Sequence, residues 1–293
     1  MPTSRSEIAA AEIDGLIYVV GGIDGLARTL SVVEVYNPQN NTWARNTDLP
    51  QGRHHPVVAG VDGKVYVIGG FVGAGFTPQA EVFEYDVKLG VWKNRSSMPT
   101  ARGAAVAVVR DKKVWVLGGI SERGVTNRVE VYDTVNDTWG HRSALPTPRQ
   151  HMAAAVIDDK LYVAGGRTFS LSSNMDVLEI YDFASDSWHS AARMPRPCGG
   201  IAGANLGNRF VVVGGEQPGA TSREVDAYDP TSNRWLSLPR LPTGRHGLAA
   251  AVQGGRMFVI GGGKRPGFSV SAQNESLQLT TTGVDTEAGA PSM

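Results

Sequence analysis

An all-β fold, a six-bladed propeller of four-stranded sheets, is what the 293-residue sequence predicts, and three observations carry the prediction. Glycine is frequent, at 36 residues, beside abundant Val, Ile and Tyr, the mixture expected of many short strands joined by tight turns. Gly-Gly pairs close an apolar run six times, at 21–22, 69–70, 118–119, 165–166, 214–215 and 261–262, with steps of 48, 49, 47, 49 and 47. After each of the first five pairs a strand-like segment ends in Tyr (Tyr36, Tyr85, Tyr132, Tyr181, Tyr228), and seven residues later comes Trp (Trp43, Trp92, Trp139, Trp188, Trp235). A period of about 40–50 residues with four strands per unit indicates a propeller, because one such sheet cannot bury both faces and must stack on neighbours in a ring.

Each unit reads as four strands, A to D. Strand A carries small residues, as in AAAE, AAAV and AGAN, which suit a crowded ring centre. A hairpin turn such as Asp14-Gly15, Asp62-Gly63 or Asp158-Asp159 leads into strand B, which ends on the glycine pair. Strand C ends on the Tyr. Turn segments such as NPQNNT, DTVNDT and DPTSNR then reverse the chain into strand D, which begins at the Trp.

The glycine pair, Tyr and Trp at these offsets resemble the kelch repeat, over about residues 3–279, and the resemblance implies that strand A is innermost. A single propeller domain is expected over 1–279, with 280–293 a polar, disordered tail. In unit six the C strand reads ESLQLT and lacks both Tyr and Trp, so the sixth blade is expected to be degenerate or incomplete. Residues 3–13 already supply the A strand of blade 1, so ring closure is expected to rest on packing of blade 6 against blade 1.

Charge is balanced at 28 basic against 28 acidic residues, so no global field draws the protein to nucleic acid or to a membrane surface. The single cysteine excludes an internal disulfide and a cysteine-based metal cluster. MPTSRSEIAA has no secretory pattern and nowhere do 18 consecutive apolar residues occur, so a cytoplasmic protein is expected.

Spacing separates frame from recognition surface. An arginine lies 16 residues before the glycine pair in five units (Arg5, Arg53, Arg102, Arg149, Arg245), and Cys198 fills that slot in the other. All length variation falls between the second glycine and the Tyr, the segment that holds the B–C loop. In antiparallel blades the start of A, the end of B and the start of C share one face, so arginines and variable loops lie together at the channel mouth. There the arginines either ring a funnel for a carboxylate, phosphate or acidic peptide, or donate to carbonyls of neighbouring blades. Beside them Glu7, His54, His55, Gln150, His151 and His246 are candidate acids, bases or polar lining. Glu216 and the loop aromatics Phe71, Phe76, Phe169 and Phe268 complete the candidate ligand surface. No metal is expected, since histidines on alternate blades would face one another across a wide channel, and no cofactor is expected.

Galactose oxidase also carries kelch-like blades, but every tyrosine here occupies a repeat slot and none is spare for copper. GGGKRPG at 261–267 lacks the spacing and hydroxyl of a phosphate loop. Two functions follow. The first, preferred on the sequence, is a non-catalytic platform that holds an acidic peptide or protein segment through the B–C loops and the arginine ring. The second is a small-molecule enzyme resembling the six-bladed kelch mutarotases and epimerases of sialic acids, with an anionic sugar on Arg102, Arg149 and Arg245, and Glu7, His55 and His151 as acid and base.

Overall fold

The computed structural model describes residues 1–280 and 283–288. Among these, six large antiparallel sheets of four or five strands follow one another along the chain, beside two small sheets, Phe71–Val72 with Thr77–Pro78, and Arg102–Gly103 with Ile120–Ser121 and Gly124–Val125. In the first sheet Ala9–Ile13, Leu16–Val20, Val33–Asn37 and Thr42–Arg45 are A to D in spatial order. The inner strands Ala9–Ile13, Val57–Val61, Val106–Arg110, Ala153–Ile157, Gly199–Leu206 and Ala249–Gln253 each touch the next, and the sixth touches the first. A closed ring results. These strands line a channel of ≈ 170 Å³, where Ala and Gly leave the room that six converging sheets require.

The B strands are the most deeply buried, as in Leu16–Val20 and Lys64–Ile68, where all four residues after the first are buried. Their side chains fill the space between adjacent sheets, so the apolar core is divided into layers such as Val57, Tyr66, Ile68, Val114, Val116 and Tyr132 between the second and third sheets. The A–B turns follow from residue type, since Asp14 and Gly15 have φ of 51° and 83°, the left-handed pair of a type I′ hairpin.

Tyr and Trp staple one blade to the preceding one. The Tyr132 ring packs on Trp139 with centroids 5.0 Å apart, and the Tyr132 hydroxyl donates to Asp137 at 2.6 Å. Asp137 accepts the Ser96 N–H, and the Trp139 indole donates to the Ser96 carbonyl, both at 2.8 Å and both across the blade boundary. The same pair recurs at Trp188 with Ser143 and at Trp235 with Ala192.

The sixth blade differs from expectation. Asn274–Thr280 is its C strand, and Gly283–Ala288, from the segment read as a disordered tail, pairs with it as a fourth strand. The sheet is degenerate in sequence but complete in strands: backbone pairing needs neither Tyr nor Trp, and the Thr, Val and Gly there do not oppose an edge strand. Residues 281–282 and 289–293 of that predicted tail lie outside the described residues. Closure does rest on blade 6 against blade 1. The Met1 ammonium donates to Ala272 O at 3.0 Å, Arg5 N–H to Ser271 O at 3.2 Å, and Gly262 N–H to Arg5 O at 3.0 Å.

Candidate active site

The arginine slot is scaffold. Arg5, Arg53, Arg102, Arg149 and Arg245 are all at most 1% exposed. Arg5 donates to the carbonyls of Val19, Gly21 and Val32 and pairs with Glu34 at 3.0 Å. Arg102, Arg149 and Arg245 pair in the same way with Glu130, Glu179 and Glu275. Arg53 lies over the Phe83 ring at 5.1 Å and reaches Glu81. Burial lowers the pKa of all five, Arg5 to about 10. Each guanidinium turns back between strands B and C of its own blade, so the expected ring of arginines for an anion is not presented to the channel mouth. Spacing located the Cα atoms; it could not show where a long side chain points.

Two residues past the arginine slot the chain builds a ring of its own. Glu7, His55, Ala104, His151, Gly200 and Gly247, one per blade, all have φ between 52° and 70°. Each N–H donates to the carbonyl of the preceding member, and Glu7 N–H to Gly247 O closes the circle, with donor–acceptor distances of 2.7 to 3.1 Å. Six residues in the left-handed region, at a cost on the order of 1 kcal/mol or more for each non-glycine, persist only because this ring fixes them. Just outside it, Ser6, His54, Gly103, Gln150, Gly199 and His246 pair in β-bridges with the residues that follow the glycine pairs: Ile23, Phe71, Ile120, Arg167, Glu216 and Gly263.

These two tiers bring Glu7, on blade 1, against histidines from blades 2, 4 and 6. Glu7 Oε2 lies 3.0 Å from His55 Nε2 and 3.8 Å from His151 Nε2, and Oε1 lies 3.3 Å from His246 Nδ1. Oxygen and nitrogen atoms of Glu7, His55 and His151 all fall within 4.8 Å of one another. The expectation that histidines on alternate blades stand too far apart is therefore wrong, because the backbone ring draws them to the axis. Gly247 makes the room: a Cβ there would collide with Glu7 Oε1. Burial pushes the Glu7 carboxyl up, but His55 and His246 more than reverse this and hold it well below the usual carboxylate range. Burial and then the Arg167 charge push His151 well down, and burial and then His55 bring His54 to about 4. For His246 the Glu7 carboxylate outweighs burial and raises the pKa.

Beside this cluster Arg167 Nη2 pairs with Glu216 Oε1 at 2.8 Å, both groups buried, while Arg167 Nη1 is buried without a partner. Sequence reasoning singled out Glu216 and missed Arg167. The signal was present, since the slot after the glycine pair is Ile, Phe, Ile or Gly in four units and an Arg–Glu pair in two successive ones. Of the loop aromatics, Phe71 is buried, packed against His54 and His55 and beneath Gly103, and so is not an exposed contact residue. Phe76 is half-buried over both histidines. Phe169 and Phe268 are exposed, and Phe268 lies 6.4 Å from the Phe76 ring.

Ring, staples and glycine pairs define a kelch-type β-propeller. The Attractin/LZTR1 β-propeller family model matches residues 17–267, and the chain belongs to that family. The solved structure of YjhT is similar over 98% of each chain, with a TM-score of 0.85 at 16% sequence identity. A search of curated proteins finds no match. No helix among the described residues is long and apolar enough to cross a membrane. The preferred sequence reading, a non-catalytic platform gripping an acidic peptide through an arginine-lined mouth, is overturned: its arginines are buried scaffold, and its mouth carries a closed cluster of Glu7 with three histidines.

Proposed function

We propose that the protein is a small-molecule isomerase acting on an anionic sugar of the sialic acid class, by anomer exchange. The observation that carries this reading is a nearly enclosed group of Glu7, His55, His151 and His246 beside a buried guanidinium that has a free N–H. The full-length likeness to YjhT and the resemblance to the six-bladed kelch mutarotases support the same reading.

Arg167 holds the sugar carboxylate through Nη1, while Glu216 on Nη2 fixes the plane of the guanidinium. Anomer exchange needs a base to take the proton of the anomeric hydroxyl and an acid to deliver one to the ring oxygen. The ring C–O bond breaks, the open-chain carbonyl rotates, and the reverse transfer closes it on the other face. The Glu7 carboxylate and the imidazoles touching it hold and return those protons, and the left-handed backbone ring keeps them fixed.

The test is exchange spectroscopy by NMR on a sialic acid. Positioned acid–base groups contribute about 10²–10⁴-fold, so Glu7→Gln should lower kcat by that much. Arg167→Ala should raise KM for the acid while leaving a neutral sugar analogue unaffected. Wild-type protein that leaves the spontaneous exchange rate unchanged for every anionic sugar tried would sink the reading.

A further inference from the structure

We propose that Glu7, His55 and His151 form a binding site for one divalent transition-metal ion of the zinc class on the propeller axis. The assignment rests on the convergence of one carboxylate and two imidazoles, whose oxygen and nitrogen atoms all lie within 4.8 Å of one another, and on which imidazole nitrogen each neighbour ties down. His54 Nε2 faces the carbonyl oxygen of Gly73 at 3.2 Å, which can only accept, so the His54 proton sits there and Nδ1 keeps its lone pair. His54 Nδ1 lies 2.7 Å from His55 Nδ1, so His55 Nδ1 must carry the proton of that contact. His55 Nε2 points at a carboxylate oxygen 3.0 Å away, and in the neutral imidazole it does so with its lone pair.

Of the other two histidines, only His151 repeats the arrangement. His246 Nε2 is 3.0 Å from the Arg265 carbonyl and donates to it, which turns Nδ1 toward Glu7 at 3.3 Å and Glu216 at 3.5 Å, two carboxylates that favour a proton on that nitrogen, so His246 stays outside the ligand set. His151 Nδ1 contacts the side-chain oxygen of Gln150 and donates to it, which turns a bare Nε2 toward the same carboxylate. In their neutral forms His55 and His151 thus both turn a lone pair toward one carboxylate. A cation, whether a proton or a metal ion, relieves that repulsion, and only a metal ion can bind all three groups at once.

An imidazole whose outer N–H is tied to a carbonyl or amide, with its inner nitrogen bare, has the orientation of a metal ligand. The ion pairs that Glu7 makes among the described residues are all with imidazoles, and none is with a guanidinium. Two nitrogens and one oxygen suit zinc and its neighbours better than magnesium or calcium, which favour all-oxygen sites. Three protein ligands leave the fourth position open, as in catalytic rather than structural zinc sites. The ligands stand on the hydrogen-bonded ring, so the site is formed before an ion arrives.

The experiment strips the purified full-length protein with a chelator and titrates it with zinc by calorimetry. One ion per chain should bind, with affinity lowered at least 100-fold in Glu7→Gln and in His151→Ala. His54→Ala, which removes the outer support of His55 while leaving all three ligands in place, should weaken it about 10–100-fold. The exposed His141 and His189 are the control, since their double alanine variant should bind like wild type. Cobalt(II) gives a readout that needs no variant: the loaded wild type should show the intense visible bands of a low-coordinate, nitrogen-bound ion. A weak octahedral spectrum, or zinc bound no more tightly by wild type than by Glu7→Gln, would overturn the site and leave shared protons as the cation. Neither readout uses catalysis, so failure of anomer exchange and failure of the metal site are separate results.

Discussion

Arg102, Arg149 and Arg245 are charges that the fold has taken out of water, and each is tolerable only because a carboxylate and backbone carbonyls meet it there. Breaking such a pair costs far more than never having made it. Arg149→Met should leave Glu179, 3% exposed, unpaired and destabilise the protein by about 3–5 kcal/mol in urea unfolding. Arg149→Met with Glu179→Leu should restore most of that loss, and a single variant within about 1 kcal/mol of wild type would refute the scaffold role. Blades 2 and 5 already show the rule. Where Phe83 replaces the carboxylate two residues before Tyr85, Arg53 stacks on the ring, and where Cys198 replaces the arginine, Arg196 takes Asp226 at 2.8 Å. That carboxylate slot, Glu34, Glu130, Glu179 and Asp226, was legible in the sequence beside every Tyr but Tyr85. Read together with the arginine slot, it would have identified the pairs. The candidate site was half legible for a related reason: Glu7, His55 and His151 stood out by type, whereas their meeting depends on left-handed backbone that composition does not announce.

At the level of the strand, the repeat's turn residues were readable because they act locally, through φ and hydrogen bonds a few residues apart, and the Tyr and Trp staples because they recur at one fixed spacing, although their hydrogen bonds cross to the preceding blade. Strand Gly283–Ala288 was not, since an edge strand is held by backbone pairing that any residue except proline can supply. Charge inside a strand follows the same local logic. Glu84, on the C strand of blade 2, is buried and bonded to Arg95 at 2.7 and 2.9 Å and to Lys64 at 2.9 Å. Burial alone would raise its pKa, but Arg95 and Lys64 prevail and bring it from 4.5 to about 2. A carboxylate with a depressed folded-state pKa stabilises above its unfolded value and loses that contribution as pH falls toward the folded one. The stability gap between wild type and Glu84→Gln should therefore be full at pH 7 and shrink steadily from pH 4.5 toward 2. A gap independent of pH would show that the ionised form contributes nothing.

A propeller of six similar units has no long-range covalent tie, so the junction between last and first units decides whether it is a ring or an open stack. Here the junction is made by inner strand on inner strand, by the Glu7–Gly247 link of the axial ring, and by residues 1–5 reaching over to Ser271 and Ala272. Arg5→Ala removes one buried partner and exposes the cost of leaving Glu34 unpaired. Deleting residues 1–6 removes the same guanidinium together with the Met1–Ala272, Arg5–Ser271 and Gly262–Arg5 hydrogen bonds, while leaving Glu7 in the chain. If the terminal segment is the clasp, the deletion should lower the melting temperature well beyond Arg5→Ala and increase hydrogen exchange first in the inner strands of blades 1 and 6, because an opened ring frays at its two free faces. Equal melting of the two variants, with exchange unchanged at that seam, would assign closure to the inner strands and the axial ring alone.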